Sequence, residues 1–224
     1  MSGKIFTHHG HVSHLIKEIV DVGTVQRASE ILTDMQTDES LAHNWYWTAD
    51  GLFYRTEGGR PIAYITRNPG NLFLHRFDKV FGTISRAEIY EPTPEEVDIV
   101  LGSDGVLRVD MTELCLKPVN NRTVTFIIDL RKIDNLSKSQ REVAEKVYGS
   151  GDTSTFNRNM ELIAEYCRED PRTAITLENP DNFANRPSVF FPAGMEDVYD
   201  LRGQFIGNGR YVNSQNHNIR AAFR

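Results

Sequence analysis

Residues 44–67 read NWYWTADGLFYRTEGGRPIAYITR, a series of short aromatic and β-branched runs separated by small turn residues. Aromatic and β-branched residues are typical of β-strands, because they pack well on a pleated, half-buried surface. The ADG at 49–51 and the EGG at 57–59 are typical of tight turns between antiparallel strands. The stretch therefore predicts a β-meander.

The same pattern continues beyond residue 67. Runs of similar composition follow in LFLHRF and FGTISRAEIY and, after the proline-bounded EPTPEE, in VDIVLG, GVLRVDM and RTVTFIIDLRK. Turn residues separate them, including NPGN at 68–71 and SDG at 103–105. These features predict a mostly antiparallel sheet that extends to about residue 131.

Helices are predicted on both sides of this sheet. Apolar residues recur at three-to-four spacing over 11–36, where Gly23 and Thr24 predict a break, with Thr24 as the cap of a second helix. Ser137 is the expected N-cap of a helix over 137–148. A further helix over 154–168 has one apolar face, made of Phe156, Met160, Ile163, Ala164 and Cys167.

The order of these elements predicts the fold class. AITLEN and SVFF add two late strands after the second pair of helices. N-terminal helices, a central mostly antiparallel β-sheet, and C-terminal helices plus late strands define an α+β fold. We expect one domain over residues 1–213 and a flexible basic tail over 214–224.

Composition limits the class of protein and its compartment. The chain has 224 residues, of which 39% are hydrophobic and 25% charged, as in globular proteins. Cys115 and Cys167 are the two cysteines, and their contexts predict two buried thiols in a reducing compartment. No run approaches the roughly 20 apolar residues of a membrane span. We therefore expect no membrane contact and a cytoplasmic protein.

Charge is distributed unevenly along the chain. The formal net charge is −6, which on its own disfavours a general polyanion binder. Residues 87–114 contain eight acids and one base, whereas residues 201–224 contain four arginines and no acid. The basic segment could contact an anionic ligand, or it could bind the acidic segment of its own or a neighbouring subunit. The second possibility predicts a homo-oligomer.

The chain lacks the common fingerprints of nucleotide-binding, hydrolase, zincin and redox sites. Asp129 lies within the apolar run TVTFIIDL, and this position suits either a metal ligand or a carboxylate at a strand end. Pairing of Asp129 with Arg131 or Arg108 is the favoured interpretation. We therefore expect a protein that is not an enzyme and needs no cofactor.

The histidines of residues 8–14, HHGHVSH, provide the alternative. The spacing of His9, His11 and His14 is similar to the H-x-H-x-D-H signature of metallo-β-lactamase-fold hydrolases, with Ser13 in place of the aspartate. That resemblance implies a metal-dependent hydrolase that binds Zn²⁺ through these three histidines, with acids from residues 87–113. The favoured interpretation is a polar entry into a helix.

The aromatic stretch also contains an unusual number of arginines. Both tryptophans of the chain lie in it, and side chains alternate between the two faces of a strand, so some aromatics must share a face with arginines. Single-stranded nucleic acid is bound by such surfaces, because bases stack on aromatic rings and guanidinium groups contact phosphates. The alternative is that many of these aromatics are core residues.

The sequence thus predicts an interface for single-stranded nucleic acid. The expected stacking residues are Trp45, Trp47, Tyr54 and Tyr64. The expected phosphate contacts are Arg55, Arg60, Arg67, Arg76 and Lys79, with three arginines of the basic segment, Arg210, Arg220 and Arg224, closing over the strand.

In composition, residues 44–79 and 201–224 resemble small phage-encoded single-stranded DNA-binding accessory proteins. The resemblance implies binding of single-stranded DNA, or alternatively RNA, in replication or transcription. It also implies a viral accessory protein, which would act in the host cytoplasm.

Overall fold

The description of the fold is based on a computed structural model. It describes residues 4–8, 26–43, 46–47, 50–67, 94–102, 104–118, 123–167, 171–178, 188–190, 194–196, 205–208 and 219–223. The helices in these ranges are α1 Ala28–Met35, α2 Pro94–Leu101, α3 Lys138–Gly149 and α4 Thr153–Tyr166.

The strands in the described ranges form two sheets. The first six are β1 Lys4–His8, β2 Tyr46–Trp47, β3 Asp50–Glu57, β4 Arg60–Arg67, β5 Leu107–Asp110 and β6 Lys117–Pro118. The others are β7 Thr123–Asp129, β8 Arg172–Glu178, β9 Ser188–Phe190, β10 Gly194–Glu196, β11 Phe205–Asn208 and β12 Ile219–Phe223. Short 3₁₀ helices span Glu39–His43, Met111–Leu114 and Leu130–Asn135.

The sheet topology confirms the predicted α+β class. One sheet has the strand order β1-β12-β2-β10-β11-β8-β7-β6, and the other has the order β5-β4-β3-β9. Most neighbouring strands are antiparallel, whereas β11 with β8 and β12 with β2 are parallel. Parallel neighbours need long crossover connections, so the larger sheet is assembled from distant parts of the chain.

The β3–β4 hairpin at the start of the aromatic stretch is confirmed. Asp50 pairs with Arg67 and Glu57 pairs with Arg60, so Gly58 and Gly59 form a two-residue turn. Both glycines have positive φ, at 56° and 80°, which is the conformation that this class of turn requires. The EGG signal therefore fixes the register of the hairpin.

Helices α3 and α4 also lie where the sequence predicts them. The Ser137 hydroxyl accepts a hydrogen bond from the Gln140 N–H at 3.2 Å, which confirms the predicted N-cap. The Asp152 carboxylate caps α4 by accepting from the Thr155 N–H at 2.6 Å. The apolar face of α4 is buried at Phe156, Met160 and Ile163.

Residues 97–101 are helical, and the strand predicted for VDIVLG at 97–102 is wrong. The apolar residues Val97, Ile99 and Leu101 fit a period of two, while Val97, Val100 and Leu101 fit a helix equally well. Pro94 is the first helical residue, where its missing N–H has no cost, and two glutamates follow it at the positive end of the helix. These local preferences favour the helix.

Helix α1 begins at Ala28, four residues after the expected N-cap, Thr24. Its N-cap is Arg27, and the Glu30 carboxylate accepts a hydrogen bond from the Arg27 N–H at 2.9 Å. The first predicted helix, which begins at residue 11, lies outside the described residues up to residue 25. The Arg27 side chain is buried and donates to the carbonyl of Lys146 at 3.3 Å, which joins α1 to α3.

Part of the segment expected to be a flexible tail is a strand. Residues 219–223 form β12, which pairs antiparallel with β1, with Phe223 opposite Lys4 and Ile219 opposite His8. Its other neighbour is β2. The backbone hydrogen bonds of a ladder need no side-chain periodicity, which explains why the sequence pattern did not indicate this strand.

The core lies between the helices and one face of each sheet. It includes Ile31 of α1, Val143 of α3 and Phe156 of α4 on the helical side. Ala63 and Ile65 of β4 contribute from the smaller sheet, and Phe126 of β7 and Ile175 of β8 from the larger one. The helices therefore join the two sheets through a common apolar cluster.

The two cysteines are free, as predicted, but only Cys167 is buried. Cys167 follows the last turn of α4 and belongs to the core. Cys115 is exposed and has a φ of 52° at the end of the 3₁₀ helix Met111–Leu114. The buried position expected for Cys115 is therefore wrong, because the chain turns at this residue before β6.

A buried amide holds the three core helices together. Asn159 of α4 is fully buried, and its Nδ2 donates to the carbonyl of Ser29 in α1 at 3.1 Å and to the carbonyl of Tyr148 in α3 at 2.7 Å. The Tyr148 hydroxyl donates to the carbonyl of Ala174 at 3.1 Å, which extends the network to β8. Buried hydrogen bonds of this kind fix the relative placement of the elements that they join.

We predict that Asn159→Ala lowers the free energy of unfolding by about 1–3 kcal/mol, because buried carbonyls lose a donor. Urea denaturation of the full chain measures this change. Asn157→Ala is the matched control, since Asn157 lies on the same helix and is exposed, and it should change stability by less than about 0.5 kcal/mol. Equal losses in the two variants would contradict the assigned role of Asn159.

Gly149 allows α3 and α4 to approach closely. A Cβ at this residue would lie 2.7 Å from the Cβ of Phe156 and 3.0 Å from its backbone nitrogen. We predict that Gly149→Ala destabilises the protein by about 1–3 kcal/mol, because the added methyl group forces the two helices apart. Thermal unfolding measures the loss, and an unchanged midpoint would show that α3 and α4 can separate without cost.

Candidate nucleic-acid interface

The structure places one strand from each of the two segments predicted to bind nucleic acid side by side. Strand β12, from the basic segment, pairs in parallel with β2, from the aromatic stretch, and Ala221 lies opposite Trp47. On the other side of β2, Gly194 of β10 lies opposite Trp47. Arg220 precedes Ala221, so its backbone lies next to the Trp47 position although the two residues are far apart in sequence.

The aromatic stretch then passes from the larger sheet into the smaller one. Strand β2 ends at Trp47, and β3 begins at Asp50 in the four-stranded sheet. Within the smaller sheet, Tyr54 is opposite Ala63 and Arg55 is opposite Ile62. The predicted contact residues are therefore divided between the two sheets.

Tyr64 has a different role from the one predicted. Its side chain is 7% exposed, and its hydroxyl donates to Glu57 Oε1. Burial is the main cause that raises the pKa of the Tyr64 phenol, and the hydrogen bond with Glu57 adds to it. A buried ring offers no face to a nucleic-acid base, so the expected stacking role is replaced by a structural one.

Glu57 joins Tyr64 to the neighbouring strand. Arg108 of β5 lies opposite Tyr64, and its Nη2 and Nε donate to Glu57 Oε2 at 2.7 Å and 3.2 Å. The two hydrogen bonds from Arg108 satisfy one oxygen of the Glu57 carboxylate, and the hydrogen bond from Tyr64 satisfies the other. The side chains of Glu57, Tyr64 and Arg108 thus connect the end of the β3–β4 hairpin to β5.

A second ion pair involves one of the predicted phosphate contacts. Arg60 Nη1 lies 3.3 Å from Asp110 Oδ2, and the Arg60 side chain is 71% exposed. The Thr112 hydroxyl and N–H donate to Asp110 Oδ1 at 2.6 Å and 2.9 Å. The bond from the Thr112 hydroxyl is the main cause that holds the pKa of Asp110 below its usual range, with Arg60 contributing less.

These ion pairs neutralise the charges of two arginines of the smaller sheet. The side chains of Arg60 and Arg108 each face a carboxylate, from Asp110 and Glu57 respectively. Neither Glu57 nor Asp110 was expected in this role, since their partners are revealed only by the pairing of β4 with β5. Excess positive charge for a ligand has to come from other arginines.

The remaining predicted residues divide into two groups. Trp47, Tyr54, Arg55, Arg67 and Arg220 lie on described strands. Outside the described residues lie Trp45, Arg76, Lys79, Arg210 and Arg224.

The metal alternative depends on histidines that the structure does not describe. His9, His11 and His14 all lie outside the described residues, so the Zn²⁺ site stays a prediction. Among the residues that are described, no group of three or more His, Cys, Asp or Glu side chains could hold a metal ion. Asp129 ends β7 and forms an ion pair with Arg131, whose Nε lies 2.9 Å from Asp129 Oδ1, as the favoured interpretation predicted.

None of the helices in the described ranges is long and apolar enough to cross a bilayer.

No protein-family model matches the chain, and no curated protein matches it. The chain is similar to a solved structure reported under the words "Accommodation of massive sequence variation in Nanoarchaeota by the C-type lectin fold". The sequence identity is 16%, the TM-score is 0.59, and the match covers 99% of this chain and 96% of the other. At this identity the likeness shows a shared C-type lectin fold, and the ligand must be argued from the chain's own residues.

We predict that Asp110→Asn destabilises the protein more at about pH 7 than at about pH 3. The pKa of Asp110 is lower in the folded state than the ordinary pKa of an aspartate carboxyl group. The ionised Asp110 side chain therefore stabilises the folded protein at pH values above that ordinary pKa. That effect disappears as the pH falls through the lowered value. Urea denaturation across this range measures it.

Asp104→Asn is the matched control, because Asp104 is an exposed aspartate shortly before the same strand. It should give a small difference from the parent protein at both pH values. A penalty for Asp110→Asn that does not change with pH would contradict the proposed stabilisation of the ionised carboxylate.

Proposed function

We propose that this chain is a non-enzymatic protein that binds single-stranded nucleic acid through a surface carried on its C-type lectin fold. One observation carries the proposal: β2 of the aromatic stretch and β12 of the basic segment are neighbours, so Trp47 and Ala221 lie opposite each other in one sheet. The sequence contains these features in two separate places, and a common ligand can contact both only if the fold joins them.

The chemistry of the two segments suits a single strand. Base stacking on an aromatic side chain contributes about 1–3 kcal/mol per base and tolerates any sequence. Trp47 and Tyr54 are the stacking candidates on described strands, and Arg55, Arg67 and Arg220 are the phosphate contacts. Trp45, Arg76, Lys79, Arg210 and Arg224 complete the proposed interface.

The role of Arg60 in this interface is smaller than that of the other arginines. Its guanidinium is exposed but already lies 3.3 Å from the Asp110 carboxylate. A phosphate at Arg60 would have to compete with that carboxylate or tolerate its negative charge. Binding energy therefore comes mainly from the arginines on β3, the end of β4, and β12.

A second candidate function is recognition of a protein ligand by the same surface. The reported words for the similar structure describe a C-type lectin fold that accommodates massive sequence variation. A fold with that property keeps its core while the residues of its surface vary. The two candidate functions use the same surface. They differ in how strongly binding depends on salt and in whether single-stranded nucleic acid is preferred.

We predict that poly-dT quenches the tryptophan fluorescence of the full chain and that affinity falls as the salt concentration rises. Trp47→Leu should weaken binding by about 1–3 kcal/mol, because one stacking face is lost. Arg67→Ala and Arg220→Ala should each lower the slope of log K against log salt by about 0.7, the value for one phosphate contact on a single strand.

Arg158→Ala is the matched control, because Arg158 is an exposed arginine of α4 and lies on neither segment. It should leave both affinity and slope unchanged. Absence of quenching together with salt-independent affinity would overturn the proposal. If Arg158→Ala and Arg220→Ala had equal effects, binding would be explained by non-specific attraction between the nucleic acid and the surface charge of the protein.

A further inference from the structure

The register of the larger sheet aligns residues of neighbouring strands in a row that crosses the sheet. Residues that lie opposite each other on neighbouring strands share one face of the sheet. From β2 to β6 the row consists of Trp47, Gly194, Asn208, Thr176, Thr125 and Lys117. Five strand spacings of about 4.8 Å separate its two ends, so the backbones of Trp47 and Lys117 lie roughly 24 Å apart.

This row lies on the face of the larger sheet that points away from the core, which we call the outer face. On β7, Val124, Phe126 and Ile128 are buried in the apolar cluster, and Thr125 alternates with them. Ile127, the next residue of β7 on the same face as Thr125, is 48% exposed. The outer face is therefore open to solvent at β7.

Small residues flank the aromatic residue of the row. Trp47 lies between Gly194 of β10 and Ala221 of β12, so neither neighbour has a side chain larger than a methyl group. A base that stacks on an aromatic ring needs access to the face of that ring. The register therefore leaves room for a base at the Trp47 position.

Charge on the outer face favours one path away from Trp47. The row from Trp47 to Lys117 contains no acid, and Lys117 at its far end is exposed. The acids Glu178 and Glu196 belong to the same face, in the neighbouring rows on the two sides. Because carboxylates repel phosphates, these acids favour a path along the row itself.

We propose that the bound single strand crosses the outer face along this row and that Lys117 contacts a phosphate at its far end. This path rests on the proposed function, to which it adds a direction and a contact that the clustering of arginines does not indicate. At a stacked rise of about 3.4 Å per nucleotide, the distance from Trp47 to Lys117 corresponds to roughly seven nucleotides. That length lies within the site sizes of about 4–16 nucleotides of single-strand binding folds.

The position of Arg220 is compatible with this path. Residues alternate between the faces of a strand, so Arg220 belongs to the face opposite that of Ala221 and Trp47. Its strand, β12, is separated from the edge of the larger sheet by β1 alone. Arg220 therefore meets the end of the nucleic acid that passes round this edge, whereas Lys117 meets the part that crosses the outer face.

Titrations of the full chain with two dT oligomers test the path. An oligomer of about 12 nucleotides spans roughly 41 Å at the stacked rise and reaches both residues, whereas one of about 3 nucleotides spans roughly 10 Å. Trp47→Leu should weaken binding of both oligomers by about ten-fold. Lys117→Ala should lower the slope of log K against log salt by about 0.7 with the longer oligomer and leave it unchanged with the shorter one.

Two control variants separate a phosphate contact from a general change of charge. Lys117→Arg keeps the positive charge and should retain the slope of the parent protein. Lys138→Ala removes an exposed lysine of α3, a helix that contributes to the core on the other side of the sheet, and it should leave the slope unchanged with both oligomers. Circular dichroism verifies that all variants are folded, as expected for substitutions of exposed residues.

The path and the proposed function can fail separately. If the longer oligomer quenches tryptophan fluorescence in a manner that depends on Trp47, but Lys117→Ala behaves like Lys138→Ala, the path is wrong and the proposed function stands. An equal change of slope with both oligomers would also contradict the path, because the shorter one cannot span the distance between the two residues. If neither oligomer quenches the fluorescence, the proposed function and the path are both overturned.

Discussion

The side-chain amide of Asn159 joins the three helices that contribute to the core, α1, α3 and α4. It is fully buried and donates to backbone carbonyls of α1 and α3, and Gln36 at the end of α1 donates to its Oδ1 at 3.4 Å. A buried amide is tolerated only where its hydrogen-bonding groups find partners, so it restricts the three helices to one arrangement. That arrangement covers the inner faces of both sheets with one apolar cluster.

Local signals explain the part of the fold that could be predicted. Ser137 and the glycines of the β3–β4 turn act within a few residues, and both gave correct elements. The strand predicted for residues 97–102 is wrong because their apolar residues fit two periods, and the position of Pro94 favours the helix. The pairing of β12 with β2 and β1 was not predictable, since a ladder between distant strands leaves no periodic trace in either strand.

The candidate interface shows the same limit. Aromatic and basic residues could be identified from their clustering, but the structure gives Tyr64 a buried position and gives Arg60 a carboxylate partner. Both outcomes depend on the register that places β5 beside β4, which brings Arg108 and Asp110 to the hairpin. The structure also joins β2 to β12, an arrangement that favours the proposed interface and that composition alone could not indicate.

The pairing of β1 with β12 has a consequence for the order of folding. Lys4 meets Phe223, so this ladder closes a loop that contains nearly the whole described chain. Contacts so distant in sequence form late, because the chain entropy of closing the loop is lost before the ladder is gained. During synthesis, β1 emerges from the ribosome long before β12 has been made. Strand β2 likewise cannot pair with β12 until β12 has been made. The hairpin and the α3–α4 pair, by contrast, can form from neighbouring residues, so the core should be assembled before this side of the larger sheet is completed.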